Sequence, residues 1–309
     1  MILTVGTRGS KLSLIQTNAV IKSLKFFHPE LEVKVKVIKT TGDKERGKPL
    51  FTIDRKGIFE KEIDVAVVKG EVDFAVHSLK DVPITENLGT EIVAIPKRFS
   101  PHDVLFSKSI PLKKLPKGGV IGTSSLRRMA QVKFLHPNLE VKQIRGNVET
   151  RIAKVNRGEF DGVILAEAGL DRMGLKDLVT ERLPIYDFTP AAGRGALAVV
   201  TKENNEGVIE LLCSINDPPT KSEVTAERSL VFALKGGCRV PIGVIGRAND
   251  KSLSLYGCVF SVDTYKKIFS IAEGHLEEAE RLGAKVAQSL LEKGAKAFEI
   301  EWRKKYGVW

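Results

Sequence analysis

Three blocks of sequence occur twice, in the same order, within the first 175 residues. His28-Pro29-Glu30-Leu31-Glu32-Val33-Lys34 returns as His136-Pro137-Asn138-Leu139-Glu140-Val141-Lys142. Val5-Gly6-Thr7 returns as Ile121-Gly122-Thr123, and Lys69-Gly70-Glu71-Val72-Asp73 returns as Arg157-Gly158-Glu159-Phe160-Asp161. One such match could arise by chance, but three in register imply two domains with one topology.

Each copy reads as strand, polar loop, helix, strand, helix, strand. Ile2 to Gly6 is a short apolar strand, and Ser10 is a suitable cap for a helix over Lys11 to Phe27. Leu31, Val33, Val35 and Val37 alternate with Glu32, Lys34 and Lys36, the pattern of a half-buried strand, and Val72 to His77 is a third. In the second copy the strands fall at Val120 to Gly122, Leu139 to Ile144 and Gly162 to Ala166. Alternating strands and helices predict a mainly parallel sheet in each domain, with ligands at the carboxyl ends of the strands in a shared cleft. The first copy carries an insertion, Gly42 to Gly57, rich in glycine and charge, which reads as a mobile loop over that cleft.

The pattern changes after Pro218-Pro219. A helix over Lys221 to Leu234 precedes strands near Val240 to Arg247, Ser252 to Val262 and Lys266 to Glu273, then a helix over Leu276 to Lys293. These predict a separate α+β domain with an antiparallel sheet. The chain of 309 residues is long enough for several cores. No apolar run reaches the ~18 residues of a membrane span, and the N-terminus lacks a signal-peptide pattern, so a cytoplasmic protein is expected. Cys213, Cys238 and Cys258 are odd in number and widely spaced, which suggests no disulfide framework, and no histidine has metal-ligand spacing, so no metal is expected.

The net charge of +11 asks for an anionic partner or a solvated basic surface. No basic tail, zinc finger or aromatic RNA-binding signature is present, which turns the reading from nucleic acid to a polyanionic small molecule. The strand-end loops carry the relevant groups: Thr7-Arg8-Gly9-Ser10, His77-Ser78-Leu79-Lys80-Asp81, Thr123-Ser124-Ser125-Leu126-Arg127-Arg128, and Arg145-Gly146-Asn147 with Arg151 beyond. Guanidinium forks and helix N-termini both suit carboxylate or phosphate. Asp81 is the one acid among these bases, readable either as an ion-pair partner of Lys80 or as a carboxylate that stabilises cations and moves protons. Cys238 in Gly236-Gly237-Cys238-Arg239-Val240-Pro241 follows two glycines, as an exposed, modifiable thiol would, whereas Cys213 and Cys258 read as structural.

Together these segments resemble the porphobilinogen deaminase family. The resemblance rests on Gly6-Thr7-Arg8-Gly9-Ser10-Lys11-Leu12-Ser13-Leu14-Ile15-Gln16, Ala75 to Pro83, Gly122 to Arg128, Arg145 to Arg151 and Gly236 to Gly243, five motifs in the family's order. It implies two periplasmic-binding-protein-like α/β domains, over 1–98 with 190–216 and over 99–189, and a third α+β domain over 217–309. It implies hydroxymethylbilane synthase activity on porphobilinogen, by a monomer without nucleic acid, membrane or metal. It further implies a dipyrromethane cofactor on Cys238 through a thioether, with Asp81 as the catalytic acid. By the same matching, Lys80, Ser125, Arg127 and Arg128 would hold cofactor carboxylates. Arg8, Arg145, Arg151 and Arg172 would grip the incoming pyrrole and growing chain, with Ser10 beside them and Phe59 stacked near the cofactor. His102 stands where the pattern has arginine, Arg194 where it has glutamine, and Ala198-Val199-Val200 where it has a glycine and an acid. The rival reading is a non-enzymatic two-lobed binding protein, which would account for the duplication and the arginines but not for Cys238 or a third domain.

Overall fold

The computed structural model describes residues 1–44, 60–84, 89–235 and 240–306. The chain begins with β1 (Ile2–Thr7), α1 (Lys11–Phe27), β2 (Glu32–Val37), α2 (Thr41–Lys44), α3 (Lys61–Val68), β3 (Phe74–Ser78) and β4 (Thr90–Ala94). The second copy follows as β5 (Asp103–Ser107), β6 (Val120–Gly122), α4 (Leu126–Leu135), β7 (Glu140–Lys142), α5 (Val148–Asn156), β8 (Gly162–Ala166), α6 (Glu167–Arg172) and β9 (Glu181–Arg182). Then come β10 (Leu197–Lys202), α7 (Glu206–Cys213), α8 (Pro218–Ala233), β11 (Ile242–Asn249), β12 (Ser252–Phe260), β13 (Lys267–His275), α9 (Ala279–Glu292) and α10 (Ala295–Tyr306). Among the described residues, no helix is long and apolar enough to cross a membrane.

The duplication is a duplication of topology. One sheet has the order β2-β1-β3-β10-β4 and another β7-β6-β8-β5-β9, which match strand for strand. In each, three strands run parallel, and the fourth strand joins antiparallel and carries the fifth. The repeated residues have repeated jobs. Asp73 accepts the backbone N–H of Thr4 at 2.6 Å, and Asp161 accepts that of Val120 at 2.7 Å. His28 and His136 close α1 and α4 with near-identical backbone angles, as expected of residues that precede proline and so avoid the helical region. Gly6 and Gly122 leave room for the helix-side core: a Cβ on Gly6 would lie 3.0 Å from Ile63, and one on Gly122 would lie 3.1 Å from Ile144 and Phe160.

The C-terminal sheet is antiparallel, in the order β11-β12-β13, and its inner face packs on α8 and α9. A Cβ on Gly257 would sit 2.5 Å from Leu230 of α8, and one on Gly283 of α9 would sit 2.5 Å from the Ala226 carbonyl, so both glycines permit close packing. Helix α8 starts at Pro218, earlier than the expected Lys221, because the first turn of a helix needs no proline N–H. The expected helix from Leu276 opens as a 3-10 turn and becomes α-helical at Ala279. Most of the 42–57 insertion lies outside the described residues.

The chain forms two compact units. One holds the N-terminal stretch to Phe99 together with Gly195–Lys221; the other holds Ser100–Arg194 and the chain from Ser222 onward. The first contains the sheet built on β1, and the second contains the sheet built on β6 and the C-terminal sheet.

Candidate active site

In the first unit, two strand ends are tied to one helix. The Thr17 hydroxyl donates to that of Thr7 at 2.8 Å, fixing α1 to the end of β1. Ser10 caps α1, its hydroxyl accepting the Ser13 N–H at 3.2 Å, and the half-buried Arg8 lies in the loop between. Gln16, buried on α1, reaches the Ser78 hydroxyl at 2.9 Å. The single 3-10 turn Leu79–Asp81 follows, anchored by the buried Leu79 side chain and by its N–H to the Ala196 carbonyl at 3.1 Å. On that turn Lys80 Nζ donates to both carboxylate oxygens of Asp81, at 2.9 and 3.0 Å. With side chains 36 % and 35 % exposed, this pair adds little to stability and leaves Asp81 open to solvent. Behind the turn, His77 is paired with the buried Asp64 at 2.9 Å.

The second unit gathers arginines. Ser125 caps α4 by accepting the Arg128 N–H at 3.5 Å, and the Ser124 hydroxyl donates to the Ile144 carbonyl at 2.7 Å. This loop holds the N-terminus of α4 against the end of β7. The turn into α5 needs Gly146, whose φ is +114° and whose added Cβ would fall 2.6 Å from Thr150. Asn147 caps α5 through the Thr150 N–H at 2.8 Å, and Arg151 Nε donates to the Gly146 carbonyl at 2.9 Å. Burial lowers Arg151 to about 10, and Arg128 and Arg145 push in the same direction, so these three positive charges lie close enough to repel. Arg145 Nη2 and Arg128 Nε are buried without a hydrogen-bond partner among the described residues. Arg172 ends α6; burial lowers it to about 10 against the opposing charge of Asp171.

Arg127 has a different setting from its expected one. It is 3 % exposed and turned inward, with Nη1 donating to Gln131 at 2.9 Å and to the Thr189 carbonyl at 2.5 Å, and Nη2 to Asp103 at 2.7 Å. Arg128 Nη2 donates to the other Asp103 oxygen at 2.6 Å, and Arg194 Nη1 stands 3.8 Å from that oxygen. Burial alone would raise the Asp103 carboxyl, but Arg127, Arg128 and Arg194 override it and hold the group far below the usual carboxylate range. Asp103 was not legible as a site residue, since it stands as a lone acid before the apolar run of β5.

The arrangement assembles Arg8, Ser10, Lys80 and Asp81 at strand ends of the first unit. It assembles Ser125, Arg128, Arg145 and Arg151 at strand ends of the second, over an internal layer of Arg127, Asp103 and Arg194. Cys238 and Phe59 lie outside the described residues. In the second unit, guanidiniums with orphaned N–H groups can bind a multiply carboxylated molecule, and in the first a half-buried carboxylate can stabilise a cation.

Residues 3–210 match the family model "Porphobilinogen deaminase, dipyromethane cofactor binding domain", and residues 221–292 match "Porphobilinogen deaminase, C-terminal domain". A probable porphobilinogen deaminase of Nitrosopumilus maritimus is 44 % identical, over 99 % of this chain and 98 % of that protein. The porphobilinogen deaminase of Syntrophobacter fumaroxidans is 43 % identical over 96 % of each chain. Among solved structures, the methionine binding protein MetQ aligns with a TM-score of 0.42 at 12 % identity, over 69 % of this chain and 89 % of that one. With both models in order along nearly its whole length, the chain belongs to the porphobilinogen deaminase family.

Proposed function

We propose that this chain is a hydroxymethylbilane synthase, which joins four porphobilinogen molecules head to tail with loss of ammonia and releases the linear tetrapyrrole by hydrolysis. The observation that carries the reading is the group Arg128, Arg145 and Arg151, in which the first two repel Arg151 and hold buried N–H groups that no described residue satisfies. Such a group is costly unless an anion completes it. Each porphobilinogen brings an acetate and a propionate. A non-enzymatic binding protein would use the arginines equally, but it gives no role to Asp81 on its half-buried turn.

The same orphaned donors suit the carboxylates of a dipyrromethane. When bound, that group supplies the pyrrole position to which substrate units are added. We place it on Cys238, held by Lys80, Ser125 and Arg128, with Arg127 supporting Arg128 from within through their common partner Asp103. Arg8, Ser10, Arg145, Arg151 and Arg172 orient the incoming substrate by its carboxylates, and Phe59 stacks on a pyrrole face. Loss of ammonia leaves an electron-poor substrate carbon. Asp81 stabilises the positive charge through its carboxylate and accepts the α-proton that leaves when the new bond forms. Lys80, bonded to both Asp81 oxygens, keeps that carboxylate oriented. In this reading the second unit holds most of two of three domains, 99–189 and 217–309, each with its own sheet, and most of the other, 1–98 with 190–216, falls in the first.

The test is direct. Purified protein given porphobilinogen should release one ammonia per substrate consumed and yield a linear tetrapyrrole. Its intact mass should exceed the sequence mass by one dipyrromethane, located on Cys238 by peptide mapping. Binding of porphobilinogen without ammonia release would favour the binding-protein reading, and an adduct on Cys213 or Cys258 would reject the Cys238 assignment.

A further inference from the structure

Among the described residues, the outer edge of the C-terminal sheet is closed by side chains and a loop, with no further strand. β11 is an edge strand, and its alternate N–H groups point outward. Val244 donates to the Pro190 carbonyl at 2.8 Å, Gly246 to Glu227 Oε1 at 3.0 Å, and Ala248 to Glu223 Oε1 at 3.0 Å. Glu227, on α8, is fully buried, and its second oxygen accepts the Gly193 N–H at 2.7 Å. Two glycines allow these approaches. A Cβ on Gly246 would meet the Glu223 carbonyl at 2.9 Å, and one on Gly243 would meet Thr189 Cβ at 2.7 Å. Helix α8 and the segment Thr189–Arg194 therefore both press on β11 at backbone distance.

That segment is also the inner wall of the arginine layer. The Thr189 carbonyl accepts Arg127 at 2.5 Å and Gln131 at 2.8 Å, and Arg194 reaches toward Asp103. Closing a sheet edge does not call for a buried carboxyl group, as Pro190 shows by doing so with its carbonyl. Two converging N–H donors do call for one, because an amide would set its own N–H group against one of them.

We propose that Glu227 is a positioning residue for substrate binding. Through Gly193 it fixes the segment 189–194, which holds Arg127. Arg127 shares Asp103 with Arg128, so the segment's position sets where Arg128 points relative to Arg145 and Arg151. The proposal rests on the reading that these arginines take substrate carboxylates.

Three variants of the holoenzyme test it, after wild-type turnover of porphobilinogen has established the reading itself. Glu227→Gln should raise KM for porphobilinogen about tenfold per folded molecule, with kcat changed less than about twofold, since small displacements of a binding group carry large costs. Glu223→Gln disturbs the same strand edge at Ala248, and should lower the melting temperature while leaving KM unchanged. Gln131→Met loosens the Thr189 carbonyl from the opposite side and also removes a direct partner of Arg127. It should raise KM in the same sense and combine with Glu227→Gln less than additively. Equal losses of melting temperature in Glu227→Gln and Glu223→Gln with KM unchanged in both would reduce Glu227 to an edge cap. If Glu227→Gln does not fold, Gln131→Met decides, and an unchanged KM there overturns the proposal.

Discussion

Lys80 and Asp81 are neighbours in sequence and partners in space, an arrangement that supplies a charge without supporting a core. Asp81→Asn keeps the shape of the turn and removes the charge, so turnover should fall on the order of 10²–10³-fold with the melting temperature held within about 1 °C. Asp81→Glu, which moves the charge by one methylene, should retain slow turnover. Single-turnover kinetics with thermal melts check both, and an Asn variant at wild-type rate would remove Asp81 from the chemistry. Residues of this local kind were legible in the sequence. Ser10 reads as a helix cap because its partner, Ser13, is three positions away. The inward setting of Arg127 was not legible, because its partners Asp103 and Thr189 lie 24 and 62 positions distant and no local pattern connects them.

Among the elements, α4 is the least expected. Its N-terminal turn carries two adjacent arginines, yet Leu126, Arg127, Arg128, Ala130, Gln131 and Val132 are all buried. Asp103, at the first position of β5, makes this possible. Asp103→Asn would leave the two guanidiniums buried without a counter-charge, at a cost of about 3–5 kcal/mol near neutral pH. The pH dependence follows from the direction of the shift. A carboxyl held far below its usual range contributes its full stability above the ordinary carboxylate pKa of about 4, and loses it progressively as the pH falls below that value. The wild-type stability should therefore drop more steeply on acidification than that of Asp103→Asn, as urea titrations between about pH 2 and 7 would show. Parallel acid limbs would mean that the network is not coupled to folding. β2 was legible because valine alternates with charge, although its valines are exposed or only half-buried. β10 and β5 were not. Leu197 to Thr201 and Asp103 to Ser107 are buried throughout, so the alternation that marks a half-exposed strand is missing.

For the whole molecule, the charge of +11 acts beyond individual contacts. A substrate drawn in by its carboxylates should show kcat/KM falling several-fold between about 0.05 and 0.5 M salt, with kcat nearly constant, because screening weakens capture and leaves the chemistry in place. A salt-independent KM would place recognition in apolar contacts instead. The matching sheet orders also hide an asymmetry. The sheet on β6 draws its strands from Asp103 to Arg182 alone, whereas in the other sheet β4 pairs only with β10, which lies at Leu197–Lys202. On a ribosome, the later copy can complete its sheet while the earlier one still waits for its fourth strand. The N-terminal half, although made first, finishes folding second, and until residue 202 emerges β3 and β4 present raw edges to whatever chaperone attends the nascent chain.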